Sequence, residues 1–129
     1  MDLFNVIIRP YIEYCSNTYH CLLTQEMSDR LENLQKRAMK TIFGWNKSYS
    51  SLLELTGQET LQKRRQRNFD SFAIKTAKNP RYKKWFPLAR VHGYGTRSDL
   101  PYDEEFARTE RLKNSPVFSM RRRLNELSA

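Results

Sequence analysis

The sequence predicts a mainly α protein, a small helical bundle of about three to five helices with a long irregular C-terminal strap. Apolar residues recur at helical spacing over three stretches, and capping and stop residues bound those stretches. After Pro80 the chain mixes glycine, proline and aromatic residues without a period. Its 129 residues suit one folding unit. We place a helical segment at residues 1–79 and the strap with a short terminal helix at residues 80–129.

The first apolar segment covers residues 2–14 and approximates helical spacing. Pro10 lies inside it and is expected to kink the helix or to restart it. The segment has no evident apolar partner in the sequence that follows. We therefore expect it to pack against protein that precedes it.

The second stretch predicts an amphipathic helix over residues 29–43, with Ser28 as N-cap and Gly44 as stop. Its predicted buried seam is Leu31, Leu34, Ala38 and Ile42. Its opposite face carries Lys36, Arg37 and Lys40.

A short helix is predicted at residues 48–57, where Ser51 and Glu54 have capping-box spacing. Thr60 is then expected to cap a longer helix that ends at Lys78, before Asn79-Pro80. Further core residues are predicted from these two helices: Leu52, Leu53, Leu61, Phe69, Phe72 and Ala73. Arg65 lies on the apolar stripe of the longer helix.

The strap begins with RYKKWFP at residues 81–87, in which cations and aromatic residues adjoin each other. Ser115-Pro116 then gives an N-cap followed by proline at the first helical position. A last helix through Leu127 is expected from this signal.

Positive charge is concentrated in the middle of the chain. The protein carries a formal net charge of +9 and a pI near 9.8. Residues 29–90 hold 15 Lys and Arg against 5 Asp and Glu, a net charge of +10, so the remainder is close to neutral. Such an excess favours acidic partners such as nucleic acid.

Metal, membrane and secretory signals are weak. Cys15, His20 and Cys21 lack the usual zinc spacing and a fourth ligand, so a reduced cysteine pair is favoured and no metal or cofactor is predicted. No apolar run approaches the ~20 residues that span a bilayer. We expect an intracellular protein of the nucleus or the cytoplasm, without a membrane partner.

Catalytic motifs are lacking as well. The sequence has no glycine-rich phosphate loop and no nucleophile elbow, and His20 and His92 are isolated. Asp103, Glu104 and Glu105 are expected to be solvated, because consecutive side chains diverge. The sequence predicts no enzyme, no catalytic residue and no small-molecule substrate.

The basic residues are the better candidates for a function, because several cations on one surface neutralise phosphates. The candidate phosphate contacts are Lys36, Arg37, Lys40, Lys63, Arg64, Arg67, Lys75, Lys78, Arg81, Lys83 and Lys84. Tyr82 and Trp85 are candidates for stacking on unpaired bases. Ordinary solvation of the cations and packing of the aromatic rings remain open alternatives. Arg65 is expected to have a structural role, because an unpaired buried arginine is costly.

Six segments together resemble the C-terminal region of reverse transcriptases from LINE-type, jockey-like non-LTR retrotransposons. They occur in the chain in this order: IIRPYIEYCSNTY (7–19), RLENLQKRAMKTIFG (30–44), SYSSLLELTGQETLQKRR (48–65), NPRYKKWFP (79–87), ARTERLKNSP (107–116) and RRRLNEL (121–127). The resemblance implies that residues 1–79 correspond to a helical thumb or post-thumb segment that supports the polymerase and helps to hold nucleic acid.

The family's catalytic turn, an aromatic residue followed by Ala-Asp-Asp, does not occur in this sequence. We therefore expect a truncated, non-catalytic remnant that binds RNA or DNA backbones with a strong dependence on salt. One alternative is a purely structural piece that packs on the remainder of a reverse transcriptase. Another is an unrelated small basic helical DNA-binding domain.

Overall fold

The computed structural model describes residues 4–89 and 100–128, and it is mainly α, which confirms the predicted fold class. Four helices of eight or more residues carry the architecture, in agreement with the predicted three to five. The α-helices of the described ranges are α1 Arg9–Glu13, α2 Ser16–Tyr19, α3 Gln25–Phe43, α4 Tyr49–Thr56, α5 Leu61–Lys78, α6 Glu110–Lys113 and α7 Pro116–Ser128.

The chain divides into two compact units, and the boundary lies within α5 between Arg67 and Asn68. The first unit comprises the residues up to Ser16 together with Leu23–Arg67. The second comprises Asn17–Leu22 and the residues from Asn68 onward. From the sequence, the division is expected at residue 79.

The first unit opens with a π-helical turn, Phe4–Ile8, that runs directly into α1. Pro10 lies in the first turn of α1, where its missing N–H has no helical partner to lose. The change from the π-helical turn to α1 thus falls next to the proline, where the sequence predicts a kink or a restart. Phe4 is buried against Met39 and Leu52, and these three side chains form the apolar core of the first unit.

The predicted N-cap of α3 is wrong. The helix begins at Gln25, and the hydroxyl of Thr24 accepts a hydrogen bond from the backbone N–H of Met27 at 3.3 Å. Ser28 lies inside the helix and is buried. Both residues are good caps. Thr24 serves as the cap, whereas the Ser28 hydroxyl accepts a hydrogen bond from Arg65 within the first unit.

Two seam residues predicted for α3 are also wrong, since Leu34 is 54% exposed and Ile42 is 44% exposed. The buried face carries Ser28, Gln35 and Met39 instead. Gln35 can face inward because its amide nitrogen donates to the Tyr49 hydroxyl at 2.9 Å and to a backbone carbonyl at 3.2 Å. The buried face of α3 is therefore not its most apolar face, because the polar side chains on the buried face have hydrogen-bond partners.

α4 is capped by Ser48, whose hydroxyl accepts from the backbone N–H of Ser51 at 3.2 Å. The predicted capping box of Ser51 and Glu54 is therefore wrong by one turn. The helix ends at Gly57, which adopts the left-handed conformation with φ +62° that glycine reaches without strain.

The carboxylate of Glu32 on α3 joins three elements of the first unit. It accepts hydrogen bonds from the backbone N–H groups of Leu61 and Gln62, at 3.1 and 3.2 Å, where α5 begins. It also accepts from the hydroxyl of Tyr49 on α4. The first N–H groups of a helix have no partner inside it, and a negative charge there is favourable. Glu32 therefore caps α5 from another helix, alongside the predicted local cap Thr60.

The core of the second unit consists of Phe69, Ala73, Phe86, Met120 and Leu124. Phe72 was predicted in this core and is 38% exposed, so that prediction is wrong. The space over α5 is filled by Phe86 from the strap, an aromatic residue that helical periodicity cannot assign to the core.

The strap is attached to α7 by Asn125, whose side chain bonds the N–H and the C=O of Tyr102 at 3.0 and 3.1 Å. An antiparallel bridge between Leu88 and Tyr102 brings its two described arms together. α7 begins at Pro116, as predicted. It is tied to α5 by Arg123, which donates to both carboxylate oxygens of Asp70 at 2.8 and 3.1 Å. None of the helices in residues 4–89 and 100–128 is both long and apolar enough to cross a bilayer.

We predict that Glu32→Ala destabilises the chain by about 2 kcal/mol, because three donors lose their acceptor at once. The measurement is the midpoint of urea unfolding followed by circular dichroism at 222 nm. Glu54→Ala is the matched control, since Glu54 is an exposed helical glutamate. Equal midpoints for the two variants would contradict the assigned role of Glu32.

The raised pKa of Tyr49 predicts that the chain loses stability at alkaline pH. Burial and the neighbouring Glu32 carboxylate raise the pKa of Tyr49 above its ordinary value of 10.0. The neutral phenol therefore contributes stability below about pH 10, and that contribution is lost as the pH rises through the folded-state pKa. Unfolding midpoints at pH 8 and pH 11 should differ less in Tyr49→Phe than in the unsubstituted chain. An equal difference in both proteins would contradict this prediction.

Candidate nucleic-acid interface

The α3 basic face consists of Lys36, Arg37 and Lys40. Lys36 and Arg37 are exposed, and within the described residues neither has a carboxylate partner. Lys40 is half-buried, with its ammonium group 6.0 Å from the centroid of the Trp45 ring. Lys36 and Arg37 are therefore available to a phosphate, and Lys40 lies near the exposed ring of Trp45.

The first turns of α5 contain candidates of two kinds. Lys63 is exposed and has no ion pair in the described part of the chain. Arg64 forms a half-buried ion pair with Glu13, which also lies 3.6 Å from Arg9. Arg67 is more exposed and pairs with Glu59 at 2.8 Å. Only Lys63 among these candidates is unneutralised.

Arg65 faces the interior of the first unit and is only 1% exposed. One terminal nitrogen donates to the Ser28 hydroxyl at 2.6 Å, whereas Nε and Nη1 have no acceptor among the described residues. Glu13 acts on it only at longer range, as part of the same charge cluster. Arg65 is therefore part of the interior of the first unit, and its side chain does not reach the surface.

The second-unit basic group consists of Lys75, Lys78, Arg81, Lys83 and Lys84. All five are exposed, and none has an ion-pair partner among residues 4–89 and 100–128.

The continuity of this group depends on Asn79, which follows the last residue of α5. Its side-chain oxygen accepts from the N–H of Arg81 at 3.0 Å and so starts the 3₁₀ helix Pro80–Trp85 directly after α5. The cations of the helix end and of the turn thus belong to one continuous segment.

The aromatic candidates differ in exposure. Trp85 is exposed, and its ring centroid lies 4.8 Å from that of the half-buried Tyr82. Tyr82 also packs against the second-unit core, and Phe86 belongs to that core. Of the two stacking candidates, Trp85 is thus the one whose ring is more accessible to a base, and Tyr82 packs beside it.

Ion pairing separates the cations into two classes. Nine of the eleven candidate phosphate contacts lack a carboxylate partner in the described ranges, Arg64 and Arg67 being the exceptions. Outside the candidate set the described cations are divided: Arg9, Arg30 and Arg123 are paired with acids, whereas Lys47, Arg108 and Arg111 are not. Helical spacing shows which cations face outward, but pairing depends on the tertiary position of the acids. The sequence therefore could not indicate that Arg64 is committed to Glu13.

Other residues considered from the sequence lie apart from these groups. Cys15 is exposed, and Cys21 is half-buried, where burial raises the pKa of its thiol. The ring of His20 contacts that of Phe69 at 5.3 Å. His92 lies outside the described residues. Within those residues, no group of three or more His, Cys, Asp or Glu side chains is placed to hold a metal ion.

The acidic run at residues 103–105 is exposed, but it has partners that the sequence did not reveal. Glu104 accepts from the Asn125 amide at 2.9 Å, and Glu105 lies 3.6 Å from the buried Arg121. Arg121 belongs to the RRRLNEL segment and shares the buried face of α7 with Leu124, three residues later. That spacing was a usable signal for an inward-facing arginine.

Comparison with protein-family models, with curated proteins and with solved structures finds no match to this chain. The resemblance to LINE-type reverse transcriptases therefore depends on the six sequence segments. The description of the basic surfaces depends only on the exposure and the ion pairing of their cations.

Adjacent residues on α5 provide a test of the pairing pattern. We expect Arg64→Gln to lower the free energy of unfolding by about 1 kcal/mol, because Glu13 loses a half-buried partner. Lys63→Gln should change it by less than about 0.5 kcal/mol, as is usual for an exposed unpaired residue. Urea unfolding measures both. A larger effect for Lys63 than for Arg64 would show that the two residues are wrongly assigned.

Proposed function

We propose that the chain is a non-catalytic remnant of a LINE-type reverse transcriptase that binds the phosphate backbone of RNA or DNA. The observation that carries this proposal is the set of nine candidate cations without a carboxylate partner in the described residues. An ion-paired arginine has to lose its partner before it binds phosphate, whereas these cations do not. The central charge excess of +10 supports the same reading.

Binding of this kind derives its free energy largely from the release of counterions. The affinity is therefore expected to depend steeply on salt and weakly on sequence. The α3 basic face and the second-unit basic group each offer phosphate contacts, and Trp85 provides a ring for stacking on an unpaired base. The expected locations are the nucleus and the cytoplasm, where RNA and DNA are present.

Polymerisation does not form part of this proposal. Two-metal catalysis requires carboxylates held close to both ions. The sequence contains no Asp-Asp pair. We therefore expect no nucleotide incorporation by the chain alone in the presence of Mg²⁺.

An alternative function is that of a structural piece that packs on a protein partner such as the rest of a polymerase. It is favoured by an exposed apolar surface on the first unit, formed by Val6, Ile7, Tyr11 and Tyr14. Several exposed large apolar side chains within nine residues of sequence are consistent with an interaction site. On this alternative the cations contribute only solubility.

The test is filter binding to single-stranded RNA across a salt series, with the variant Lys36→Glu/Arg37→Glu. We expect the affinity to fall by tenfold or more, or about 1.4 kcal/mol or more. The slope of log affinity against log salt should become shallower by about 1.4, since about 0.7 is lost for each phosphate contact on a single strand.

The matched control is Arg108→Glu/Arg111→Glu, which changes the net charge equally at two exposed positions outside the candidate groups. It should weaken binding much less. Equal losses for the two double variants would indicate a general charge effect and contradict the assigned surface. An unchanged affinity in Lys36→Glu/Arg37→Glu would favour the structural alternative.

A further inference from the structure

Trp45 is a large exposed ring that belongs to none of the candidate groups described above. The sequence has two tryptophans, and Trp45 is 62% exposed whereas Trp85 is 46% exposed. Among the described residues, Trp45 is not one of the side chains that pack on the core of the first unit, and no other aromatic ring pairs with it. A buried tryptophan stabilises a fold through its large apolar area. The exposure of this ring therefore favours a role in binding.

The end of α3 holds Trp45 beside the α3 basic face. The N–H of Gly44 donates to the carbonyl of Lys40 at 2.9 Å, and Gly44 has a φ of +102°, which favours glycine. The chain leaves the helix at this glycine, and Trp45 follows directly. The ammonium group of Lys40 lies over the Trp45 ring at 6.0 Å from its centroid, the outer limit of a cation–π contact. The ring and the basic face thus adjoin each other.

The sequence around Trp45 contains positive charge only. Residues 33–53 hold four cations and no Asp or Glu: Lys36, Arg37, Lys40 and Lys47. In the described part of the chain, none of the four has an ion-pair partner. Lys36 and Lys40 are four residues apart, so they are neighbours on the surface of α3. A polyanion bound along these two lysines would reach Trp45 at the end of the helix.

Other strongly exposed rings lack this setting. Phe106 is 89% exposed, but it directly follows Glu104 and Glu105 in the sequence. Tyr11 lies among the exposed apolar side chains of the first unit. A nucleic acid would be repelled by the acids beside Phe106 and would find no phosphate contact in the apolar surface. The charge around each ring therefore selects Trp45 as the one suited to a base.

We propose that Trp45 stacks on an unpaired base of a single-stranded nucleic acid whose backbone lies along Lys36 and Lys40. The bases of a duplex already stack on each other, and taking one out of the duplex costs a few kcal/mol. A single strand offers the face of a base without that cost. The inference rests on the proposed function for the backbone contacts. It adds a preference for single strands over duplexes, because phosphate contacts alone attract both.

The fluorescence of Trp45 tests this proposal directly. Trp85→Phe leaves Trp45 as the only tryptophan of the chain. This variant is titrated with a short oligouridylate and with a blunt RNA duplex of the same number of phosphates, while the anisotropy of a dye on the RNA gives the occupancy. We expect the emission of Trp45 to fall in proportion to the occupancy by the single strand and to stay unchanged with the duplex. Unchanged emission with the single strand bound, or equal quenching by the duplex, would overturn the proposal.

Affinity measurements on the full chain assign the contact. Trp45→Ala should weaken binding of the oligouridylate by about fivefold or more, through the lost stacking, and should leave the affinity for the duplex unchanged. Trp45→Phe should retain most of the affinity for the single strand, since it keeps an aromatic face.

The matched control is Leu55→Ala, which removes a side chain of the first unit that is 61% exposed and lies outside the α3 basic face. It should change neither affinity. Equal losses in Trp45→Ala and Leu55→Ala, or equal losses for single strand and duplex in Trp45→Ala, would contradict the assignment. Urea unfolding verifies that the variants are folded. If Trp45→Ala is not, the quenching experiment on Trp85→Phe decides alone.

A protein partner on Trp45 would give a different result. If a second copy of the chain covered the ring, the emission of Trp85→Phe would shift to shorter wavelength as the protein concentration rises, without any nucleic acid. That result would overturn the proposal.

The failure of this inference is distinguishable from the failure of the proposed function. If Lys36→Glu/Arg37→Glu lowers the RNA affinity but bound single strands do not quench Trp45, backbone binding stands and the stacking is wrong. If single strands quench Trp45 but the affinity is insensitive to that charge reversal, the stacking stands and the assigned backbone surface is wrong. If neither strand form binds, both proposals fail.

Discussion

The carboxylate of Glu32 determines where α5 begins, and the positions of the side chains on α5 depend on that starting point. A helix is rigid, and each residue is rotated by about 100° from the one before it. Once the N–H groups of Leu61 and Gln62 are bound to Glu32, Lys63 faces solvent and Arg65 faces the interior. A start displaced by one residue would rotate these side chains by about 100° and would take Arg65 away from Ser28. An acid on α3 thus controls which cations of α5 are presented.

Arginine and lysine differ in how often they are paired with acids, and the net charge alone does not show this difference. Acidic residues are placed against arginines at half-buried positions, as in the pairs of Glu13 with Arg64 and of Asp70 with Arg123. The bidentate geometry of a guanidinium suits such pairs, whereas lysine is a flexible point charge. The exposed cations that lack acids in the described residues are mostly lysines. Within the described residues, several arginines therefore attach one element to another, and lysine provides most of the exposed, unneutralised charge.

Local signals were sufficient for much of the fold. The ends of α5 and the start of α7 at Pro116 follow from capping and proline chemistry, which act over a few residues. The face that α3 buries could not be read in the same way. Hydrophobic periodicity assigned Leu34 to the core, but Gln35 is buried because Tyr49, distant in sequence, satisfies its amide. The candidate cations could be identified by type and spacing, whereas their pairing depends on tertiary contacts that no local pattern contains.

The attachment of the strap to α7 has a consequence for how the sequence can vary. Asn125 presents an amide that donates and accepts like a peptide group, and it pairs with the main chain of Tyr102 as a neighbouring strand would. The partner contributes only backbone atoms to these two bonds, so they place no demand on the identity of its side chain. These two bonds therefore require an amide side chain at position 125, since an aspartate lacks the donor and an alanine lacks both the donor and the acceptor. Homologous chains that keep this strap should therefore retain the amide on the helix, whereas the facing residue is constrained only through its packing on Phe86 and the second-unit core.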